Sequence, residues 1–217
     1  MIGRTADALV FFRAWLSAPL QIASVTPSGR ALSSLMTTEI TAASGAVIEL
    51  GPGTGVFTEA LLERGVSESD LVLVESSAAF AGHLQTRFPA ARTLLMDASQ
   101  LRKIELATST PIGAVLSGLP LLSMPVRKVI GILEGAFSHL RDDGAFFQFT
   151  YGPRCPVPRP VLDRLGLKAT FLGRTLANVP PAAVYRFSRR RPRPPFGPPA
   201  PSSSIASPNA SAPPEID

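Results

Sequence analysis

Residues 47–61 read VIELGPGTGVFTEAL, and this stretch decides the fold. An apolar run carrying Glu49 passes into a loop with glycine at 51, 53 and 55, then into a helical pattern. A short run that is apolar without alternation suits a strand buried on both faces, as in a parallel sheet. Glycines at the turn let the chain reverse tightly and let a ligand approach the backbone. The order strand, glycine loop, helix therefore predicts the first unit of an α/β sheet, with a ligand at the carboxyl end of its strand.

Working outward, the same alternation recurs. Strands are expected at 46–50, 71–75, 92–96, 112–117 and 145–151, with helices at 56–65, 77–88 and 126–140 between them. The segment RDDG, 141–144, reads as a turn that closes the last of these helices. A short helix at 160–166 and strands at 167–173 and 183–189 complete the pattern. The last two strands have a Pro-containing loop between them and no helix, so they are expected to pair antiparallel. Before the sheet, two helices are expected, at 5–17 and 28–42. The fold class is thus α/β, a doubly wound Rossmann-like sheet with N-terminal helices.

Composition divides the chain. It has 217 residues, 45% of them hydrophobic, enough for one domain with a real core. From Arg189 onward Pro, Ser and Ala dominate, so 189–217 is expected to be a disordered tail. The expected organisation is an N-terminal helical segment, 1–45, a ligand-binding core, 46–188, and that tail. Charge is uneven: residues 154–193 carry ten basic side chains and one acidic one. Arg186, Arg189, Arg190, Arg191 and Arg193 are nearly contiguous, which points to phosphate of a nucleic acid or an anionic lipid. The single cysteine, Cys155, excludes a disulfide framework and reads as an ordinary thiol. His83 and His139 fall on helices away from strand ends and read as structural; no metal cluster is expected. Asp7 and Arg13 interrupt the only candidate signal-peptide core. The expected location is the cytoplasm, or the cytosolic face of the inner membrane.

Three acids follow three successive strands. Glu49 precedes the first glycine by two residues, Glu75 ends the second strand, and Asp97 follows the third. The spacing is G-x-G-x-G, because Val56 stands where a dinucleotide fingerprint needs its third glycine. An acid at position 49 suits a ligand bearing an ammonium and a sulfonium rather than a pyrophosphate. Glu75 stands where a carboxylate accepts ribose hydroxyls, and Asp97 where one accepts from an adenine amino group. This pattern resembles the class I S-adenosylmethionine-dependent methyltransferases over roughly residues 25–190. The resemblance implies seven strands, the last antiparallel, and S-adenosyl-L-methionine as cofactor. The expected cofactor-binding set is Glu49, Gly51, Gly53, Thr54, Gly55, Glu75, Ser76, Asp97, Ala98 and Ser117.

The acceptor is read from the end of the fourth strand, LSGLPLLSMP at 116–125. The rRNA adenine dimethylases are similar in the core but place a stacking aromatic where this chain has Leu121. The segments SVTPSGRALS (24–33), IELGPGTG (48–55), SGLPLLSM (117–124), YGP (151–153) and NVPPAAVYRF (178–187) look like the bacterial phospholipid N-methyltransferases. That resemblance implies stepwise methylation of phosphatidylethanolamine toward phosphatidylcholine by a peripheral membrane enzyme. Ser117, Gly118 and Tyr151 are the expected catalytic residues, and Arg154 is expected at the substrate phosphate. Phe11, Phe12, Trp15 and Leu16, on the helix at 5–17, form an apolar face expected to lie against anionic lipid. No nucleic-acid partner and no metal are expected. An RNA adenine N6-methyltransferase, and a protein that holds cofactor or lipid without turnover, are the alternatives.

Overall fold

The computed structural model describes residues 27–151, 154–176 and 181–190. The expected helix at 5–17, with Phe11, Phe12, Trp15 and Leu16, lies outside the described residues, as do Arg191 and Arg193. Seven strands form one sheet: β1 (Ala46–Leu50), β2 (Leu71–Glu75), β3 (Arg92–Leu95), β4 (Ile112–Ser117), β5 (Leu140–Thr150), β6 (Leu167–Thr175) and β7 (Ala182–Arg189). Their order across the sheet is β3-β2-β1-β4-β5-β7-β6. β1 to β5 are mutually parallel, and β7 runs antiparallel to both β5 and β6. The helices are α1 (Pro27–Met36), α2 (Val56–Glu63), α3 (Ala78–Arg87), α4 (Val126–His139) and α5 (Arg159–Arg164).

Strand alternation sorts the core into two layers. Ile48, Leu50, Val72, Val74, Val115 and Phe146 face one side and pack with Ile132, Leu133 and Phe137 of α4 and Val161 of α5. Val47, Leu71, Leu73, Leu116 and Phe147 face the other and pack with Met36 of α1, Phe57 and Leu61 of α2 and Leu84 of α3. Every residue of β1, β2 and β4 is buried, as an unbroken apolar run requires. Among the described residues no helix is long and apolar enough to cross a membrane.

Three boundaries differ from the sequence reading. The helix expected at 28–42 ends at Met36. The hydroxyls of Thr37 and Thr38 donate back to the carbonyls of Ser33 and Ser34, and β-branched residues propagate a helix poorly. RDDG is not a turn between α4 and a strand at 145: β5 already begins at Leu140. Leu140 pairs with Ile112 and Ala145 with Ala114, so residues 141–144 bulge opposite Gly113. A Cβ at Gly113 would lie 1.9 Å from the Ser44 carbonyl oxygen, so the bulge passes a position only glycine fills.

The third difference concerns the basic stretch. Arg189 is both the last residue of the expected strand and the first of the expected tail; β7 ends on it, and the Arg190 amide donates to the Gly166 carbonyl at 2.8 Å. The Arg189 guanidinium donates to the carbonyls of Phe137, Leu140 and Arg141 and stacks 5.3 Å from the Phe137 ring centroid. The Phe137 carbonyl is one of the orphans in the last turn of α4 and the other two follow at the start of β5, a place that a cation satisfies well. Arg186 pairs with Glu39, and Arg190 with Asp163. Three of the five arginines thus serve the fold instead of forming an open phosphate-seeking patch. Arg189→Ala removes the charge-assisted bonds and the ring stacking together and should cost about 2 kcal/mol, measured as a lowered urea midpoint with unchanged slope.

Candidate active site

β1 and β4 are neighbours, but the chain leaves β1 toward β2 and leaves β4 toward β5. Their carboxyl ends therefore diverge, and a crevice opens between the loops that follow. The first loop is the glycine loop. Gly51, Gly53 and Gly55 all have positive φ, at 67°, 57° and 86°. Gly51 is further constrained by its neighbour: a Cβ there would lie 2.7 Å from Leu119 Cδ2. Across the crevice, the Gly118 amide donates to the Leu50 carbonyl at 2.8 Å, and a Cβ on Gly118 would sit 2.7 Å from the Gly51 carbonyl oxygen. Gly51 and Gly118 are thus a mutual contact of two backbones.

Glu75 braces the loop from β2. It is buried, and its Oε2 accepts from the Gly53 amide at 3.2 Å while Oε1 accepts from the Ser77 amide at 2.8 Å. It therefore orders the loop and the entry to α3 at once. Ser76, beside it, is exposed. On the loop's outer side Arg87 donates to the Thr54 carbonyl at 2.6 Å and pairs with Glu59.

Glu49 lies on the floor of this loop and has no exposed surface. The Thr58 hydroxyl donates to Oε2 at 2.6 Å, and Oε1 has no partner. Burial pushes its carboxyl up from 4.5 to about 8; the Thr58 bond opposes this and the nearby Glu75 carboxylate adds to it.

Asp97 follows β3 and is half-exposed. Its Oδ1 accepts from the Ser99 amide at 2.9 Å and the Ser99 hydroxyl at 2.8 Å, and its Oδ2 pairs with Lys128 at 2.7 Å. Partial burial works to raise its pKa, but the Lys128 ammonium and the two Ser99 bonds outweigh it and hold the carboxyl low. Asp97 thus caps the turn at Ala98–Lys103, with Ala98 buried against the core. One lone pair on Oδ2 remains for a ligand.

A second concavity lies against β4 and β5. It is a small cleft, of about 30 Å³, lined by Leu119, Pro120, Leu121, Leu122 and Ser123 on one side and Phe149, Thr150 and Tyr151 on the other. Among the described residues no charged side chain lines it. The Ser117 hydroxyl, wholly buried, accepts from the Leu119 amide at 3.3 Å and shapes the turn above. Tyr151 is half-buried and meets Phe149 edge-on, with centroids 5.3 Å apart. Phe149 in turn meets Phe57 of α2 at 5.8 Å. Arg154 is exposed and is not among the lining residues. Leu121 is buried in the core, so its side chain does not stand free where a base-stacking ring would be needed.

The structure therefore brings Glu49, the glycines, Glu75, Ser117, Gly118 and Tyr151 to one edge of the sheet. Sequence reasoning passed over Thr58, Arg87, Lys128 and Gln148. Gln148 is fully buried, and its Nε2 donates to the carbonyls of Leu119 and Phe149 at 2.9 and 2.8 Å, tying the two walls of the cleft together. A glutamine alone among phenylalanines in β5 was the available signal. His83 and His139 stay on α3 and α4, and His139 Nε2 bonds the Leu101 carbonyl at 3.0 Å. Cys155 is half-buried, and burial pushes its thiol pKa up, opposed by a bond from Val157. Among the described residues no cluster of His, Cys, Asp and Glu could hold a metal ion.

No family model matches the chain, and no curated protein matches it. Solved structures do. The N-methyltransferase NodS from Bradyrhizobium japonicum WM9, in complex with S-adenosyl-L-homocysteine, superposes with a TM-score of 0.59 at 14% identity, over 85% of this chain and 100% of that one. A TehB-like SAM-dependent methyltransferase from Corynebacterium glutamicum gives 0.56 at 14% identity, over 86% and 98%. Magnesium protoporphyrin IX methyltransferase from Synechocystis PCC 6803, with bound SAM, gives 0.56 at 12% identity, over 88% and 86%. The chain has the seven-stranded Rossmann-like fold of the class I methyltransferases.

The buried carboxyl of Glu49 makes stability depend on pH. Its pKa is raised on folding, so its contribution is fully present below about 4.5 and is lost as pH rises through about 8. The ligand-free protein should lose about 4 kcal/mol between pH 5 and 9 from this group. Glu49→Gln should flatten that decline, as followed by denaturant unfolding across the range.

Proposed function

We propose that the chain is an S-adenosylmethionine-dependent N-methyltransferase acting on the amine of an amphiphilic lipid, phosphatidylethanolamine and its methylated intermediates being the leading candidates. The observation that carries this reading is that two concavities share a wall. The glycine loop, braced by Glu75, rests on Leu119, and Leu119 also lines an uncharged apolar cleft.

The residues fit the cofactor. Glu75 keeps lone pairs for the two hydroxyls of a ribose, each oxygen having accepted one bond. Asp97 retains one for an adenine amino group. Glu49, with an unpartnered oxygen beneath the loop, suits a cationic amino-acid end. When bound, the cofactor supplies an electrophilic methyl group. The protein's part is to place an acceptor nitrogen in line with it and to keep water out. Leu119, Pro120 and Leu121 exclude water, and Tyr151 orients the nitrogen, whose proton leaves to solvent. Gly118 lets the two loops stand in contact beside the ligands, because any side chain there meets the Gly51 carbonyl.

The lipid acceptor is favoured by the cleft's lining and its mouth, where Leu122 is 47% exposed and nearby Val126 51%. A soluble, charged amine gains little from such walls. The segment 1–17, with Phe11, Phe12, Trp15 and Leu16, is proposed to hold the enzyme on the cytosolic face of an anionic membrane, and Arg154 to meet the lipid phosphate. Residues 189–217 are proposed as a tail, with its start moved to 191.

The test uses cofactor labelled on its methyl group, offered with phosphatidylethanolamine vesicles, free ethanolamine and rRNA in parallel. Label should enter the lipid extract alone. Label in RNA alone overturns the acceptor, and label in no fraction despite cofactor binding leaves a binding protein. Glu75→Ala should weaken cofactor binding 10- to 100-fold, which corresponds to roughly 1.5–3 kcal/mol for charge-assisted bonds, read by calorimetry on the folded variant.

A further inference from the structure

We propose that the glycine-loop site exchanges a proton for its ligand: the Glu49 carboxyl is protonated while the site is empty and releases that proton to solvent when an ammonium-bearing ligand binds. The inference rests on the reading that this site takes S-adenosylmethionine, and it adds what the site selects for, namely positive charge at the amino-acid end.

The surroundings of Glu49 decide its charge. In register, it lies between Leu73 of β2 and Leu116 of β4 and beneath Thr58 of α2. None of these three is charged. The charged group acting on it is Glu75, a second acid, and Glu59 of α2 is engaged with Arg87 instead. Among the described residues no cation therefore offsets the cost of an ionised Glu49 in the empty site. The Thr58 hydroxyl donates to Oε2, which leaves Oε1 to carry the proton. Burial and the Glu75 charge together keep that proton on up to about pH 8.

A buried carboxyl with one oxygen unpartnered is a standing cost to the fold. An ammonium brought over the glycine loop supplies the missing countercharge. It need only come near, because the Coulomb interaction reaches several ångströms in a dry interior. Once it is there, the ionised form is favoured and one proton leaves. A neutral ligand such as adenosine gives Glu49 no reason to ionise. An anionic one, such as a nucleotide pyrophosphate, makes ionisation harder. The same loop geometry that could cradle many adenosine ligands thus gains a charge filter from one residue.

Calorimetry tests this on the full chain. Binding of S-adenosylmethionine and of S-adenosylhomocysteine is measured near pH 7 in phosphate and in Tris, whose protonation enthalpies differ. Both ligands carry the ammonium, and only the first a sulfonium. The expected result is a buffer-dependent heat equal to nearly one proton released per ligand, for both. Affinity should rise close to tenfold from about pH 6 to about pH 7, below the range where the ligand's own amino group titrates. Adenosine should bind weakly with no buffer dependence. Glu49→Gln should abolish the proton release and flatten the pH dependence, with its melting curve confirming the fold. Binding of both ligands with the same heat in both buffers overturns the inference and leaves the function standing. Proton release that persists in Glu49→Gln assigns the proton elsewhere and overturns it too. Absence of any binding overturns the functional reading and the inference together.

Discussion

Two backbones touch where β1 and β4 part, and the site depends on that contact. The Leu50 carbonyl receives the Gly118 amide, Gly118 has no room for a methyl group against the Gly51 carbonyl, and Gly51 has a positive φ that side chains rarely adopt. A side chain at Gly118 would wedge the two loops apart. The glycine loop would then leave its seat on Leu119, and the cleft would be deprived of the wall that Leu119 begins. The glycines that look like a ligand motif are therefore first a packing requirement between strands. Ligand access follows from the same absence of side chains.

From this contact the two halves of the crevice are held by different means. Polar bonds fix the loop: Glu75 to the Gly53 amide, Arg87 to the Thr54 carbonyl. Apolar packing and a single amide fix the cleft: Gln148 reaches both walls, and Phe57, Phe149 and Tyr151 form an edge-to-face series from α2 to its rim. α2 begins directly after the glycine loop, so this aromatic series is a physical link between the two concavities.

Much of this was legible in the sequence, for identifiable reasons. β1, β2 and β4 announce themselves because both faces are buried and their apolar runs are nearly unbroken, with Glu49 the one charged residue inside a run. The antiparallel pairing of β6 and β7 followed from the absence of a crossover helix. The start of β5 was missed because a bulge looks like a turn when its pairing partner is unknown. The strand ending at Arg189 was legible, but the partners of its guanidinium were not, because they are carbonyls 48 to 52 residues away. Asp97 was read as reaching for a ligand, and local bonds to Ser99 and Lys128 already hold it. The glycine loop and the acids at the strand ends were the readable part, since motif spacing sets them. The cleft depends on contacts between strand ends, which spacing does not reveal.

The antiparallel course of β7 has a directional consequence. β1 to β5 all end at the edge that carries the crevice, whereas β7 begins there and finishes beside the start of β5. Arg189 fastens that finish to the end of α4, and Arg190 to Gly166. Arg190 therefore stands on the end of the sheet remote from the glycine loop. The molecule is polar in the manner of a plug: the glycine loop and the cleft share one end, and the last described residue is fastened at the other.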